Sequence, residues 1–164
     1  MMSNANIESI AVEQSRSLWV KAVVWLTLSC FAGQPILSFA QAASAIVPTN
    51  GGSVSQTSQG RPLVNIVAPN GAGISQNRYS QFDVGTQGAA LNNNNSGQSV
   101  TLQQMNAAGQ ADRAASNPNL GANAAKVIIN QVQSSSASQL RGALEVAGQK
   151  ADVVVANPNG ITCN

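Results

Sequence analysis

Downstream of residue 42 the carboxylates Asp83, Asp112, Glu145 and Asp152 and the thiol of Cys163 are the groups best suited to chemistry. Clustered carboxylates would serve the acid and base steps of glycosidic cleavage, or bind calcium, but no two of these are close in sequence. Histidine, the usual proton shuttle near neutral pH, is absent from the whole chain. Cys163 therefore has no imidazole to activate it. It reads as a small apolar residue of a strand, or as half of a disulfide whose partner lies beyond the sequence. The expectation is a protein without catalytic residues, metal ligands or cofactor.

Composition points the same way. Of the 164 residues 9% are charged and 4% aromatic, against about 25% charged in an ordinary soluble domain. A net charge of +2, scattered along the chain, gives no basic footprint for nucleic acid.

Arg16 and Lys21 flank the apolar run "AVVWLTLSCF" (Ala22 to Phe31). That is the length of a signal-peptide core and short of the roughly 20 residues that span a membrane. Pro35 breaks any helix, and "FAQA" places Ala40 and Ala42 at the small-residue spacing that signal peptidase accepts. Residues 1–42 are thus expected to be a signal peptide, extended by a long polar leader and removed after Ala42 by the export machinery and its peptidase. A lipoprotein role for Cys30 is disfavoured, because "TLS" before it carries a large residue where a small one is preferred.

What would position the remaining residues is a set of short β runs. "LVNIVAPNGAGIS" (Leu63 to Ser75), "KVIINQV" (Lys126 to Val132), "GALEVAG" (Gly142 to Gly148) and "ADVVVANPNGIT" (Ala151 to Thr162) are rich in β-branched residues and bounded by turn residues. Val64, Ile66 and Ala68 alternate with Asn65 and Val67, and Val127 and Ile129 with Ile128 and Asn130, so one face of each run is expected to be buried. A helical period is faintly visible between Thr101 and Ala115. "IVAPNGAGIS" and "VVVANPNGIT" repeat one plan of strand, Pro-Asn-Gly turn and strand, as stacked rungs of a solenoid would. In such a turn Pro fixes φ, Asn tolerates the left-handed conformation, and Gly leaves the corner without steric cost. Asn157 can bond its side-chain oxygen to nearby backbone amides. The run "LNNNNSG" (Leu91 to Gly97) fits either Asn side chains laddered along a β edge or a polar loop.

"NRYSQFDV" (Asn77 to Val84), "GAALNNN", "NPNL" (Asn117 to Leu120) and "VVVANPNGITCN" (Val153 to Asn164) occur in this order. Together they resemble the amino-terminal two-partner secretion domain of filamentous-haemagglutinin-type exoproteins, a family that includes contact-dependent growth inhibition toxins. The resemblance implies an all-β fold, a right-handed parallel β-helix, over residues 43–164. It implies a secretion module, recognised in the periplasm of a Gram-negative bacterium by an outer-membrane β-barrel transporter with POTRA domains, that starts β-helix folding outside the cell. By the same resemblance Asn117, Pro118, Asn119 and Leu120 are expected to serve transporter recognition, and Asn157, Pro158, Asn159, Gly160 and Ile161 to build the fold. Contact with host or neighbouring cells would belong to downstream regions.

Family sequences continue beyond the Asn-Pro-Asn-Gly-Ile element with further rungs, so the β-helix is expected to be incomplete at its carboxy-terminal end. Two other readings of the same residues are an adhesin whose Asn, Gln and Ser faces bind glycans and, with less support from the carboxylates, a β-helical polysaccharide enzyme. Expressed in a Gram-negative host, the chain should yield a species beginning at or near Ala43. Amino-terminal sequencing that finds the leader intact would refute the export reading.

Overall fold

The computed structural model describes residues 44–164. The leader, with Arg16, Lys21, Cys30 and the cleavage residues Ala40 and Ala42, lies outside the described residues. The strands are β1 (Ala45–Pro48), β2 (Ser53–Gln56), β3 (Pro62–Asn65), β4 (Ile74–Asp83), β5 (Ala89–Asn93) and β6 (Val100–Met105). They continue as β7 (Ala111–Ala114), β8 (Val127–Val132), β9 (Ser138–Leu140), β10 (Leu144–Gly148), β11 (Asp152–Ala156) and β12 (Ile161–Cys163). The expected runs are β3 with the start of β4, β8, β10, and β11 with β12.

The strands stack as successive coils. Coil 1 is β3 and β4, coil 2 is β5, β8 and β9, and coil 3 is β10, β11 and β12. One parallel stack is β3, β5 and β10, a second is β4, β8 and β11, and a third is β9 and β12. The third stack reaches coil 1 through a parallel bridge from Val84 to Leu140. In the first stack Leu63 lies beside Ala90 and Ala90 beside Glu145. In the second, Ile74, Val127 and Asp152 share a column. This is a parallel β-helix, as the sequence predicts. Coil 1 is closed on its other side by antiparallel strands, β2 against β3 and β1 against β4.

Period-two alternation sets the inner wall. In β4, Ser75, Asn77 and Tyr79 are buried while Gln76, Arg78 and Ser80 face out. In β8 the buried residues are Ile128, Asn130 and Val132, with Val127 and Ile129 half-buried on the outer side. Each face of β8 carries two apolar residues and one amide, so composition alone does not choose the inner one. Register with β4 decides this, because it places Asn130 beside Asn77. The Tyr79 hydroxyl donates to Asn130 Oδ1 at 2.9 Å, and burial raises its pKa well above the usual phenol range. The Tyr79 and Phe82 rings meet edge to face at 4.8 Å between centroids. They share the interior with Val64, Ile66, Val84, Leu91, Ile128 and Val132.

Two expectations about local structure are corrected. The faint helical period between Thr101 and Ala115 belongs to an antiparallel hairpin, β6 with β7. Its apolar residues Leu102 and Ala114 pack on Leu63, Ala90 and Ala147, the outward side chains of the first stack. That stack is thus covered on both faces, which is why every residue of β5 is buried. The two Pro-Asn-Gly segments, read as one repeated rung, occupy different corners. Asn70 to Gly73 turns the chain from β3 into β4, and Asn157 to Gly160 turns it from β11 into β12.

Coil corners also stack closely. A Cβ at Gly142 would come within 2.6 Å of the Gly88 amide nitrogen, so only glycine lets the corner after β9 rest on the corner after β4.

The hairpin is pinned by a charged cluster. Asp112, fully buried, accepts from Arg61 Nε at 2.7 Å, Ser58 Oγ at 2.9 Å and the amides of Gln59 and Arg113 at 3.0 and 2.8 Å. Burial alone would raise the Asp112 carboxyl. The donors, with the Thr57 hydroxyl among them, outweigh it and bring the pKa down to about 2 from the ordinary 3.8. A depressed carboxyl stabilises the fold above its unfolded pKa and ceases to as pH falls through its folded one. The melting temperature should therefore drop between about pH 4 and pH 2. Asp112→Asn should cost about 3 kcal/mol at neutral pH by stranding Arg61, and should flatten the acid drop. Thermal unfolding across this range checks both, and equal acid slopes in variant and wild type would refute the assignment.

Candidate functional site

The chain makes one kind of corner repeatedly. A carbonyl accepts the amide of a glycine three residues later at Thr57–Gly60, Asn70–Gly73, Gly85–Gly88, Asn106–Gly109 and Asn157–Gly160, at 2.8 to 3.1 Å. Where the first residue is Asn, its side-chain oxygen also takes the amide two residues on: Asn70 from Ala72, Asn106 from Ala108, and Asn157 from Asn159. That is the Asx-turn anticipated for Asn157. The left-handed position is corrected, however. No residue other than glycine has positive φ among those described, and Gly160 at φ 101° carries the conformation assigned to Asn159.

Asn117–Leu120 is the same turn with one change. Asn117 Oδ1 accepts the Asn119 amide at 2.9 Å, and the Leu120 amide reaches the Asn117 carbonyl at 3.3 Å. Leucine closes it in place of glycine, and Leu120 is buried in the central core. Asn117 is only 2% exposed, and its Nδ2 donates to the carbonyls of Ile66 in coil 1 and Asn92 in coil 2, at 3.0 and 2.7 Å. Asn119 Nδ2 is shared between the carbonyls of Asn65 and Ile66 at 3.2 and 3.3 Å. The turn is thus stapled across two coils, with Pro118 exposed and Asn119 half-exposed.

Asn157–Ile161 is a staple of the same chemistry one coil later. Asn157 Nδ2 donates to the Ser136 carbonyl and Ser138 Oγ at 2.9 and 3.0 Å, and Asn159 Nδ2 to the Ser134 carbonyl at 2.6 Å. Here Pro158, Asn159, Gly160 and Ile161 are all exposed. The structure does not bring the two Asn-Pro-Asn turns together, since each holds a different pair of coils.

Sequence reasoning missed the residues that receive the first turn. Asn92 Nδ2 donates to Asn65 Oδ1 at 2.8 Å and to the Ala115 carbonyl at 3.1 Å. Asn93 trades both directions with Ala125, donating at 2.8 Å and accepting at 2.7 Å, and also donates to the Gln149 carbonyl. The Asn run is therefore buried strand at Asn92 and Asn93, with one Asn-to-Asn rung between coils, and becomes a loop from Asn94 onward. The signal lay in Asn65 and Asn92 recurring at matching places in "PLVN" and "AALNN".

Three of the four carboxylates, Asp83, Asp112 and Glu145, are brought onto backbone and guanidinium donors, and Asp152 is exposed. Asp112 and Glu145 lie either side of Arg61, at 2.7 and 3.7 Å, and Asp83 accepts the Gln139 amide at 2.8 Å. Cys163 is a free, exposed thiol on β12. Among the described residues no group of three or more His, Cys, Asp or Glu is placed to hold a metal ion.

Residues 40–164 match the family described as TPS secretion domain. The chain is 43% identical over 141 residues to a Toxin CdiA of Escherichia coli, which covers 85% of this chain and 4% of that protein. It is 44% identical over 124 residues to a Hemolysin of Serratia marcescens, covering 74% of this chain and 7% of the relative. The chain thus spans well under a tenth of the length of these curated relatives. A crystal structure of the filamentous hemagglutinin secretion domain superposes with a TM-score of 0.60 at 38% identity, over 73% of this chain and 37% of that one. By its Asn-stapled parallel coils and by these matches, the chain belongs to the TPS secretion domain family.

Proposed function

We propose that residues 43–164 are the address by which a longer exoprotein is handed to a cognate outer-membrane β-barrel transporter with periplasmic POTRA domains. Residues 1–42 act as the leader that takes the chain across the inner membrane, with cleavage after Ala42. The mature chain then leaves a Gram-negative cell for its surface or surroundings, and the first coils start the β-helix there. Any toxic, haemolytic or adhesive activity belongs to regions downstream, and the domain itself is not an enzyme.

Within the domain the recognition element is the Asn117–Leu120 turn, and Asn157–Ile161 serves the fold. What supports this division is the contrast between two turns of equal chemistry. The first is held on coils 1 and 2 by buried amide bonds, so Pro118 and Asn119 are offered to solvent from a rigid base. In the second, Asn157 is half-buried and Pro158 to Ile161 are exposed.

The test pairs the chain with its transporter and compares two double variants, Asn117→Ala with Asn119→Ala, and Asn157→Ala with Asn159→Ala. Secreted protein should fall about tenfold more for the first pair than its measured loss of stability accounts for, equivalent to ~1.4 kcal/mol of lost recognition. The second pair should lose secretion only in step with stability. Equal secretion by the first pair and wild type would remove the recognition role.

A further inference from the structure

In a solenoid each coil normally touches only its neighbours, so coils 1 and 3 should sense one another only through coil 2. The hairpin breaks that rule. From coil 1, Arg61 holds it at both strands, through Asp112 on β7 and through Gln104 Oε1 on β6. From coil 3, Glu145 accepts the β6 amides of Gln103 and Gln104 at 3.2 and 3.3 Å. The two ends meet directly as well. Arg61, 5% exposed, turns a buried Nη2 with no hydrogen-bond partner towards Glu145 Oε2 at 3.7 Å. A buried guanidinium with one free nitrogen and two carboxylates on either side is held only while all three are in place.

β7 then runs into the Asn117 turn. The Ala115 carbonyl accepts from Asn92 Nδ2, and the Asn117 amide donates to the Asn94 carbonyl at 2.8 Å. A shift of β7 along the first stack therefore carries the turn with it.

We propose that Arg61, Asp112 and Glu145 form a latch that couples coil 1 to coil 3 across coil 2, and that through β7 this latch positions the Asn117–Leu120 turn. Glu145 is then a positioning residue for a turn to which it makes no hydrogen bond of its own. The coupling rests on geometry within the chain and stands whether or not that turn is what a transporter reads.

Amide hydrogen exchange on the full chain tests it, with Glu145→Gln removing the charge and keeping the shape. Val155→Ala is the control, since it weakens coil 3 away from the latch. In Glu145→Gln the amides of Gln59 and Arg113, bound to Asp112, and of Asn119, bound to Asn117, should exchange about tenfold faster relative to Leu91 in the intervening coil. In Val155→Ala they should keep their wild-type ratio to Leu91. Should Glu145→Gln fail to fold, Glu145→Asp, which draws the carboxylate back by one methylene, carries the same comparison. The latch is overturned if any of the three amides keeps its wild-type ratio in the Glu145 variant, or moves no further than in Val155→Ala.

Discussion

A stack of parallel strands that turns corners breaks its backbone ladder at every corner, and the N–H and C=O groups freed there must be paired away from water. Among the side chains that supply this pairing in the described residues, asparagine is the commonest. Its side-chain amide offers the same donor and acceptor as a peptide group, on a short arm that can reach sideways to another coil. Asn93 behaves as a strand of one residue, exchanging both bonds with Ala125. Asn117 closes its own turn with its oxygen and binds two coils with its nitrogen. Each such bond contributes only about 1 kcal/mol net, whereas a buried backbone group left unpaired costs about 1 to 3 kcal/mol. The amides are thus requirements of the fold more than additions to its stability.

The same constraint explains why so few charges suffice. A stack buried on both faces leaves no side on which polar side chains meet water, and β5 accordingly reads Ala-Ala-Leu-Asn-Asn. The β6–β7 hairpin supplies the outer cover, and the most deeply buried part of its polar attachment is one ion pair, Arg61 with Asp112, ringed by hydroxyl and backbone donors.

Much of the fold could be read from β-branched runs and turn residues, because in a β-helix each strand is short and its corner lies close in sequence. β8, β10, β11 and β12 fall where those signals place them. The hairpin was not legible, since its residues face a covered stack on one side and solvent on the other, and its polar spacing mimics a helical period. Which face of β8 is inward was not legible, because each face carries two apolar residues and register with β4, a pairing across some fifty residues, decides between them. For the site, the motif residues were visible as motifs. That Asn117 is buried and that Leu120 replaces the glycine of the other corners depends on packing against coil 1, which no local pattern encodes.

The antiparallel strands β1 and β2 give the β-helix a polarity. Parallel coils are templates, and an uncovered one can accept any further coil that matches its register, including one from another molecule. At coil 1 that possibility is blunted by two reversed strands of four residues each. The β1 edge ends in Pro48, and the β2 edge is lined by Ser53, Ser55 and Gln56. Pro62 opposes Gln56, next to the bonded Thr57–Arg61 pair, at a place in the ladder where no N–H is asked of it. A copy adding to this end by parallel pairing would have to run against the direction of every other coil. Growth of the stack is in this sense vectorial, with coil 1 as its closed origin.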